Sequence, residues 1–219
     1  MKIVSHFIDV LRDILSPARC YYCLQMLERR VPLCEACRVL LRRVVSVELP
    51  LSVTDSMTVH AVGAYEGPLQ KLIRAKGYRN SAAAHQAGKI FAEHVRDMIG
   101  NHNVLVPIPL HWLRYSWRGY NQAAVLADEI NRVTNASVCH ALSRVRSTAF
   151  QARKNREERW HNVAYSLIPS RRYAEQIIGK HVIIIDDLMT TGSTLKVAAK
   201  ALKKMRPASI KAFVLARVV

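Results

Sequence analysis

The chain has 219 residues, half of them hydrophobic, and carries 33 Lys plus Arg against 16 Asp plus Glu, a formal charge of +17. That length fits one medium domain, or one domain with a small appendage, and no run approaches the roughly 18 uninterrupted apolar residues of a transmembrane segment. A surface this basic attracts polyanions or anionic metabolites at long range, which makes nucleic acid a candidate partner without specifying a fold.

In chain order, Ile3 to Leu15 is apolar at Ile3, Phe7, Val10, Leu11 and Ile14, with His6, Asp9, Arg12 and Asp13 between. That is a helical stripe rather than the apolar centre of an export signal, and it ends at Ser16-Pro17. A cysteine-bearing stretch runs on to about Val47. Glu48 to Asp55, with Pro50 and no periodicity, reads as a linker, which divides the chain into a small module over 1–50 and a larger domain over 51–219.

Beyond the linker, strands and helices alternate, which predicts an α/β fold with a mainly parallel sheet flanked by helices. Met57 to Tyr65 is strand-like, and Pro68 to Lys76 is an amphipathic helix with Leu69, Leu72 and Ile73 on one face. A longer helix spans Ala82 to Ile99. Val104 to Ile108 is a short buried strand, Asn121 to Val133 a helix with Ala124, Leu126, Ala127 and Ile130 inward, and Val138 to Leu142 a strand. An arginine-rich polar segment, Ser143 to Arg159, comes before the aliphatic run Val182 to Ile185, the helix Ser193 to Met205 and a last strand, Ser209 to Ala216. Cys139, in a short apolar run, reads as a buried small hydrophobe.

Four of the five cysteines form two pairs, Cys20-x2-Cys23 and, ten residues on, Cys34-x2-Cys37. Each pair presents two sulfurs from one tight turn, and four sulfurs close a tetrahedral zinc site with no open position, so the metal would be structural. In a segment too short for its own core, such an ion supplies much of the folding energy. An iron–sulfur centre and a redox pair are the competing readings; the doubled spacing favours zinc over disulfides.

Val182, Ile183, Ile184 and Ile185 show no polar alternation, as expected of a central strand buried on both faces. Asp186 and Asp187 follow at once, at the carboxyl end of the strand, where open α/β sheets bind ligands. Neighbouring carboxylates repel each other, so the pair calls for hydroxyl donors or a divalent cation. Thr190, Thr191, Gly192, Ser193 and Thr194 then bring hydroxyls and a permissive glycine to a helix start, where backbone N–H groups and the helix dipole favour a phosphate. Together they describe a sugar diol or metal at the carboxylates and a phosphate monoester beside them. This segment resembles the signature of type I phosphoribosyltransferases. The resemblance implies phosphoribosyl pyrophosphate (PRPP) bound with Mg²⁺, Asp186 and Asp187 on the ribose hydroxyls, and residues 190–194 around the 5′-phosphate. It further implies displacement of pyrophosphate through an oxocarbenium-like transition state that carboxylates stabilise.

Two further segments supply cations. After Val104 to Pro109 come His111, Trp112, Arg114, Tyr115, Trp117, Arg118 and Gly119; Arg114 and Arg118 would meet a pyrophosphate, whereas the tryptophans serve equally well as packing anchors. Arg144, Arg146, Thr148, Gln151 and the basic residues up to Arg159 form either a solvated loop or a flap closing over a polyanionic substrate. The order PIPLHWLRYSWRGYNQA, LSRVRSTAFQ and REERWHNVAYSL, ahead of the Asp-Asp segment, is similar to the ComF (GntX) family of competence-associated, phosphoribosyltransferase-like proteins. Arg118 to Gln122 match its RGxNQ motif, with Tyr120 in place of the usual Phe. Arg144, Arg146, Thr148 and Gln151 match its flap, and Arg159 to Val163 its RxxNV segment. The likeness implies the N-terminal zinc module as well.

Three functions remain open at this point. One is phosphoribosyl transfer to an acceptor in nucleotide metabolism; its specificity hood would have to come from the N-terminal half, since only three residues follow the last strand. Another is DNA uptake in natural transformation, in which the basic surface holds single-stranded DNA beside competence or recombination proteins. The third is a regulator that senses PRPP without turning it over. The resemblance favours the DNA role with a retained PRPP site. Paired, reduced cysteines and the lack of an export signal place the chain in the cytoplasm, free or against the inner face of the membrane.

Overall fold

The computed structural model describes residues 18–29, 31–75, 81–110, 119–144 and 167–219. The expected helix over 3–15 and most of the arginine-rich segment lie outside them. A six-stranded sheet in the order β1-β2-β8-β7-β3-β4 organises the chain: β1 Val47–Pro50, β2 Ser56–Ala64, β3 Asn103–Pro107, β4 Ser137–Val138, β7 His181–Met189 and β8 Ser209–Arg217. Only the β1–β2 pairing is antiparallel. A separate antiparallel pair joins β5, Leu142–Arg144, to β6, Leu167–Pro169.

The aliphatic run sits in the middle of this sheet for a packing reason. Val182 and Ile184 point into one buried cluster, Ile183 and Ile185 into the other, so β7 is covered on both faces. Each fully buried aliphatic side chain stabilises the fold by about 1.5–3 kcal/mol, and the β-branched run is already stiff in the extended conformation. Helix α6, Ser193–Lys203, covers the first face with Leu195, Ala198, Ala199 and Leu202. The second face is covered by α2 Gly67–Ala75, α3 Ser81–Val95 and α4 Gln122–Thr134, through Leu69, Leu72, Phe91, Leu126 and Ile130 among others. A short helix α1, Glu35–Val39, follows the third cysteine, and α5, Ala174–Ile177, lies ahead of β7.

Three expectations change. Glu48 to Pro50, read as linker, belong to β1: Leu49 is buried beside Met57, and Glu48 accepts hydrogen bonds from Ser56 (2.7 Å) and Thr58 (2.6 Å). An edge strand wet on one side shows too few apolar positions to register as periodic. The single strand expected over 138–142 divides into β4 and β5 in different sheets, with buried Cys139 between them donating its N–H to the Leu105 carbonyl at 2.8 Å. In α4, Ala123 rather than Ala124 is buried.

Candidate functional site

The connections around β7 and β3 fix where a ligand belongs. From β3 the chain passes through α4 on one face to β4; from β7 it passes through α6 on the other face to β8, in the opposite direction. The crossovers diverge between neighbouring parallel strands and leave a crevice at their carboxyl ends, the switch point at which open α/β sheets bind ligands. A cavity of about 370 Å³ lies there.

Asp186 and Asp187 line it from β7, Thr194 from the first turn of α6 and Arg144 from the end of β5. Both carboxylates are half-buried, and Asp186 accepts the Asp187 backbone N–H at 2.8 Å. The sheet continues past them, pairing Asp186 with Val214 and Leu188 with Ala216, so the acid pair is held on a hydrogen-bonded strand rather than on a loop. Ile73, Ile108, Leu110 and Leu188 give the cavity an apolar side.

Gly192 makes the loop between β7 and α6. Its φ is +75°, the left-handed region that side chains resist, and a Cβ there would stand 2.7 Å from Leu49 of the edge strand. The turn it allows starts α6 abruptly, with Lys196 N–H on the Gly192 carbonyl at 2.9 Å. The Thr191 and Ser193 hydroxyls lie 2.7 Å apart, and Thr190 and Thr191 are exposed. Hydroxyl donors and the N–H groups of a helix start thus stand beside the acid pair, an arrangement suited to a phosphate next to a polyol.

Asn121 shows how its motif is used. It accepts the Ala123 N–H at 3.2 Å as the cap of α4 and donates to the Ile108 carbonyl at 3.0 Å, tying the end of β3 to the start of the helix. Asn121 and the buried Gln122 both line the cavity. The sequence offered one signal for this, an asparagine directly before a helical pattern. Of the pyrophosphate and flap candidates, Arg144 lines the cavity; Arg114, Arg118, Arg146 and Gln151 lie outside the described residues.

The four cysteines come together in the segment ahead of β1, and none of them lines the crevice. One sulfur from each of Cys20, Cys23, Cys34 and Cys37 falls within 4.8 Å of the others, and the Cys23 and Cys34 sulfurs are 3.7 Å apart. Zn–S bonds of about 2.3 Å at tetrahedral angles give sulfur separations of about 3.8 Å, so the cluster is ready to hold an ion of that kind. Burial opposes the Cys20 thiolate, yet backbone hydrogen bonds involving Cys23, Cys34 and Tyr22 outweigh it and bring the thiol down to about 6. Cys37 is pushed up to about 12, by burial first and then by the neighbouring sulfurs. Four thiols packed this closely cannot all ionise without a cation among them. The segment docks on α2, where Lys71 donates to the Tyr22 carbonyl at 2.7 Å and Leu33 packs into the cluster containing Leu69 and Leu72.

No helix among the described residues is long and apolar enough to cross a membrane. The phosphoribosyl transferase domain model matches residues 78–218, which include the acid pair, the Gly192 loop and every crevice-lining residue but Ile73. The chain is 30% identical to competence protein F of Haemophilus influenzae over 172 residues, covering 74% of this chain and 73% of that protein. Competence protein ComFC of Bacillus subtilis is 38% identical over 117 residues, 53% of this chain and 45% of that one. The DNA utilization protein YhgH of Escherichia coli is 30% identical over 164 residues, 71% and 70% of the two chains. With its parallel sheet, switch-point crevice and four-cysteine cluster, the chain belongs to the phosphoribosyl transferase domain family and, within it, to the ComF family of competence proteins.

Proposed function

We propose that the chain takes part in DNA uptake, binding PRPP with Mg²⁺ in the switch-point cavity and handling single-stranded DNA on its basic surface. The observation that carries the reading is the convergence of Asp186, Asp187, Thr194 and Arg144 on one cavity beside the Gly192 turn. In this assignment the two carboxylates accept hydrogen bonds from the ribose hydroxyls, and residues 190–194 donate to the 5′-phosphate. Arg144, joined by Arg114, Arg118, Arg146 and Gln151, faces the pyrophosphate. The hard oxygens of the acid pair suit Mg²⁺, which would offset pyrophosphate charge. The cysteine cluster is assigned a structural Zn²⁺ within a small module that ends where β1 begins, so that the expected boundary at 50/51 shifts to include Val47–Pro50 in the ligand-binding domain, and the chain is assigned to the cytoplasm.

DNA comes into the reading from the relatives' names and from the +17 charge. Turnover would break the bond from the anomeric carbon to the pyrophosphate oxygen and form one to an acceptor, with the carboxylates stabilising the positive charge developing on the sugar. The test is isothermal titration of the protein with PRPP and Mg²⁺, repeated on Asp186→Ala. Saturable binding that weakens at least about tenfold in the variant supports the site, and equal binding by both proteins removes it. Pyrophosphate release in the same mixture, with added bases or amines, separates an enzyme from a sensor.

A further inference from the structure

At the opposite, amino-terminal edge of the sheet a second cleft of about 530 Å³ opens. Strand register places its polar residues on one face: His60 pairs with Phe213, Ile183 with Lys211, His181 with Ser209 and Asn103 with His181. This is the face that α3 covers higher up, through Phe91 and Val95; α3 ends there, and the turn at Asp97 to Gly100 forms the far wall. The sheet surface beyond the helix end is left open and carries imidazoles where a core would carry aliphatics.

Several contacts hold those imidazoles in place. The His60 ring stacks on Phe213 with centroids 4.6 Å apart, and its Nδ1 lies 2.7 Å from the Ser46 hydroxyl. His181 Nδ1 is 2.8 Å from the Ser209 hydroxyl, and the His102 ring meets His181 edge-on at 5.9 Å. Gly100 leaves room for His102: a Cβ at that position would be 2.6 Å from the ring.

The charges facing the cleft nearly cancel while the imidazoles are neutral. Lys211 on β8 stands against Asp97 after α3 in the lining, while Glu48 on β1 and His94 on α3 act on His60 from outside it and Arg43 acts on His94. Glu48 is already engaged by the Ser56 and Thr58 hydroxyls. A proton taken up by His60 therefore tips the local charge towards positive.

We propose that this cleft is where single-stranded DNA lies, its bases against the imidazole rings of His102 and His181 and its phosphates on Lys211 and His60. The inference rests on the DNA half of the proposed function and adds a place and a pH dependence to it. Imidazole and aromatic faces accept any unpaired base, a cavity of this volume admits a small-ligand-sized unit such as one nucleotide, and stacked duplex bases cannot reach such a floor. Burial, then Lys211, holds His60 below the ordinary imidazole range, and a phosphate laid on it reverses that tendency. Binding therefore takes up protons and strengthens as pH falls. His181 and Asp186 stand five residues apart on one strand, about 17 Å, so DNA in the cleft and a ligand in the switch-point cavity do not compete.

Fluorescence anisotropy of the full chain with a labelled single-stranded oligothymidine, at fixed low salt and at about pH 6 and about pH 8, tests this. The wild-type protein is expected to bind about tenfold more tightly at the lower pH, His60→Gln to lose most of that gain, and His102→Gln/His181→Gln to weaken binding at both pH values by removing the stacking floor. Lys211→Gln should weaken binding about threefold at both pH values, while Lys200→Gln, which removes the same charge from α6 on the other face, should leave it unchanged. All variants should retain the wild-type melting temperature and PRPP titration. If the wild type binds DNA and the cleft variants match it at both pH values, the cleft is not the DNA site, although the DNA role stands. If the wild type binds no single-stranded DNA, the DNA role and this inference fall together.

Discussion

The four-cysteine segment and the switch-point crevice are both shaped for charged occupants, yet they owe their shapes to different forces. The cysteine segment has one five-residue helix, an isolated bridge between Arg19 and Met26, and a few apolar anchors on α2. Its four sulfurs lie close enough for one cation to hold them together. The crevice is framed by β7, β3, α4 and α6, whose buried faces would form with nothing bound. Where the core is thin, the ligand makes the site; where the core is deep, the site waits for its ligand.

Metal removal should give the largest effect. A chelator, or Cys34→Ser, is expected to expose the amides between Ala18 and Leu41 to rapid hydrogen exchange while the β7 amides stay protected, because a structural Zn²⁺ contributes apparent energies of about 10–16 kcal/mol to modules of this kind. Protection that survives chelation would show the segment standing on its apolar anchors, and the contrast between the two regions would disappear. Next in size, Asp187→Asn should weaken PRPP binding about 100-fold, near 3 kcal/mol, with melting unchanged or slightly raised because a like-charge neighbour is gone. A large drop in melting instead would mean that the acid pair serves the frame.

Gly192→Ala is expected to cost about 2 kcal/mol in a urea titration, from the left-handed backbone and the overlap with Leu49. It should weaken phosphate binding too, since the turn and the helix start move together. The smallest effect is in pH. His60 is held below its unfolded value by burial first and then by Lys211, and His94 by partial desolvation and then by Arg43. The unfolded chain therefore binds protons more readily, so the stability held above the unfolded imidazole pKa declines as pH falls towards the folded values. Denaturant midpoints measured across that window, with His60→Gln flattening the slope, would verify it.

Much of this was readable because the relevant signals are local. An aliphatic run with two acids behind it, a glycine among hydroxyls before a helix, and two Cys-x2-Cys pairs each state their chemistry within eighteen residues or fewer. Long-range placement was not readable. Nothing in Leu49 announces that it packs against Gly192, and Glu48 becomes a strand residue only when Ser56 and Thr58 stand opposite. Asn121, read as the first residue of a helix, is its cap instead, and its grip on the Ile108 carbonyl had no local signal. The amino-edge cleft was invisible for the same reason: His60, His102 and His181 are scattered over more than half of the chain and meet only through strand register.

The two rims of the main sheet bear on assembly. On one side lies β1, four residues long and ending in Pro50, with the charged Glu48 on it; on the other lies β4, two residues long. Neither offers a second chain a run of unpaired backbone groups to extend. Among the described residues the sheet is thus insulated against strand addition and the aggregation that follows from it. Companions of this protein, including another copy of itself, must be recognised through side chains on its faces and ends.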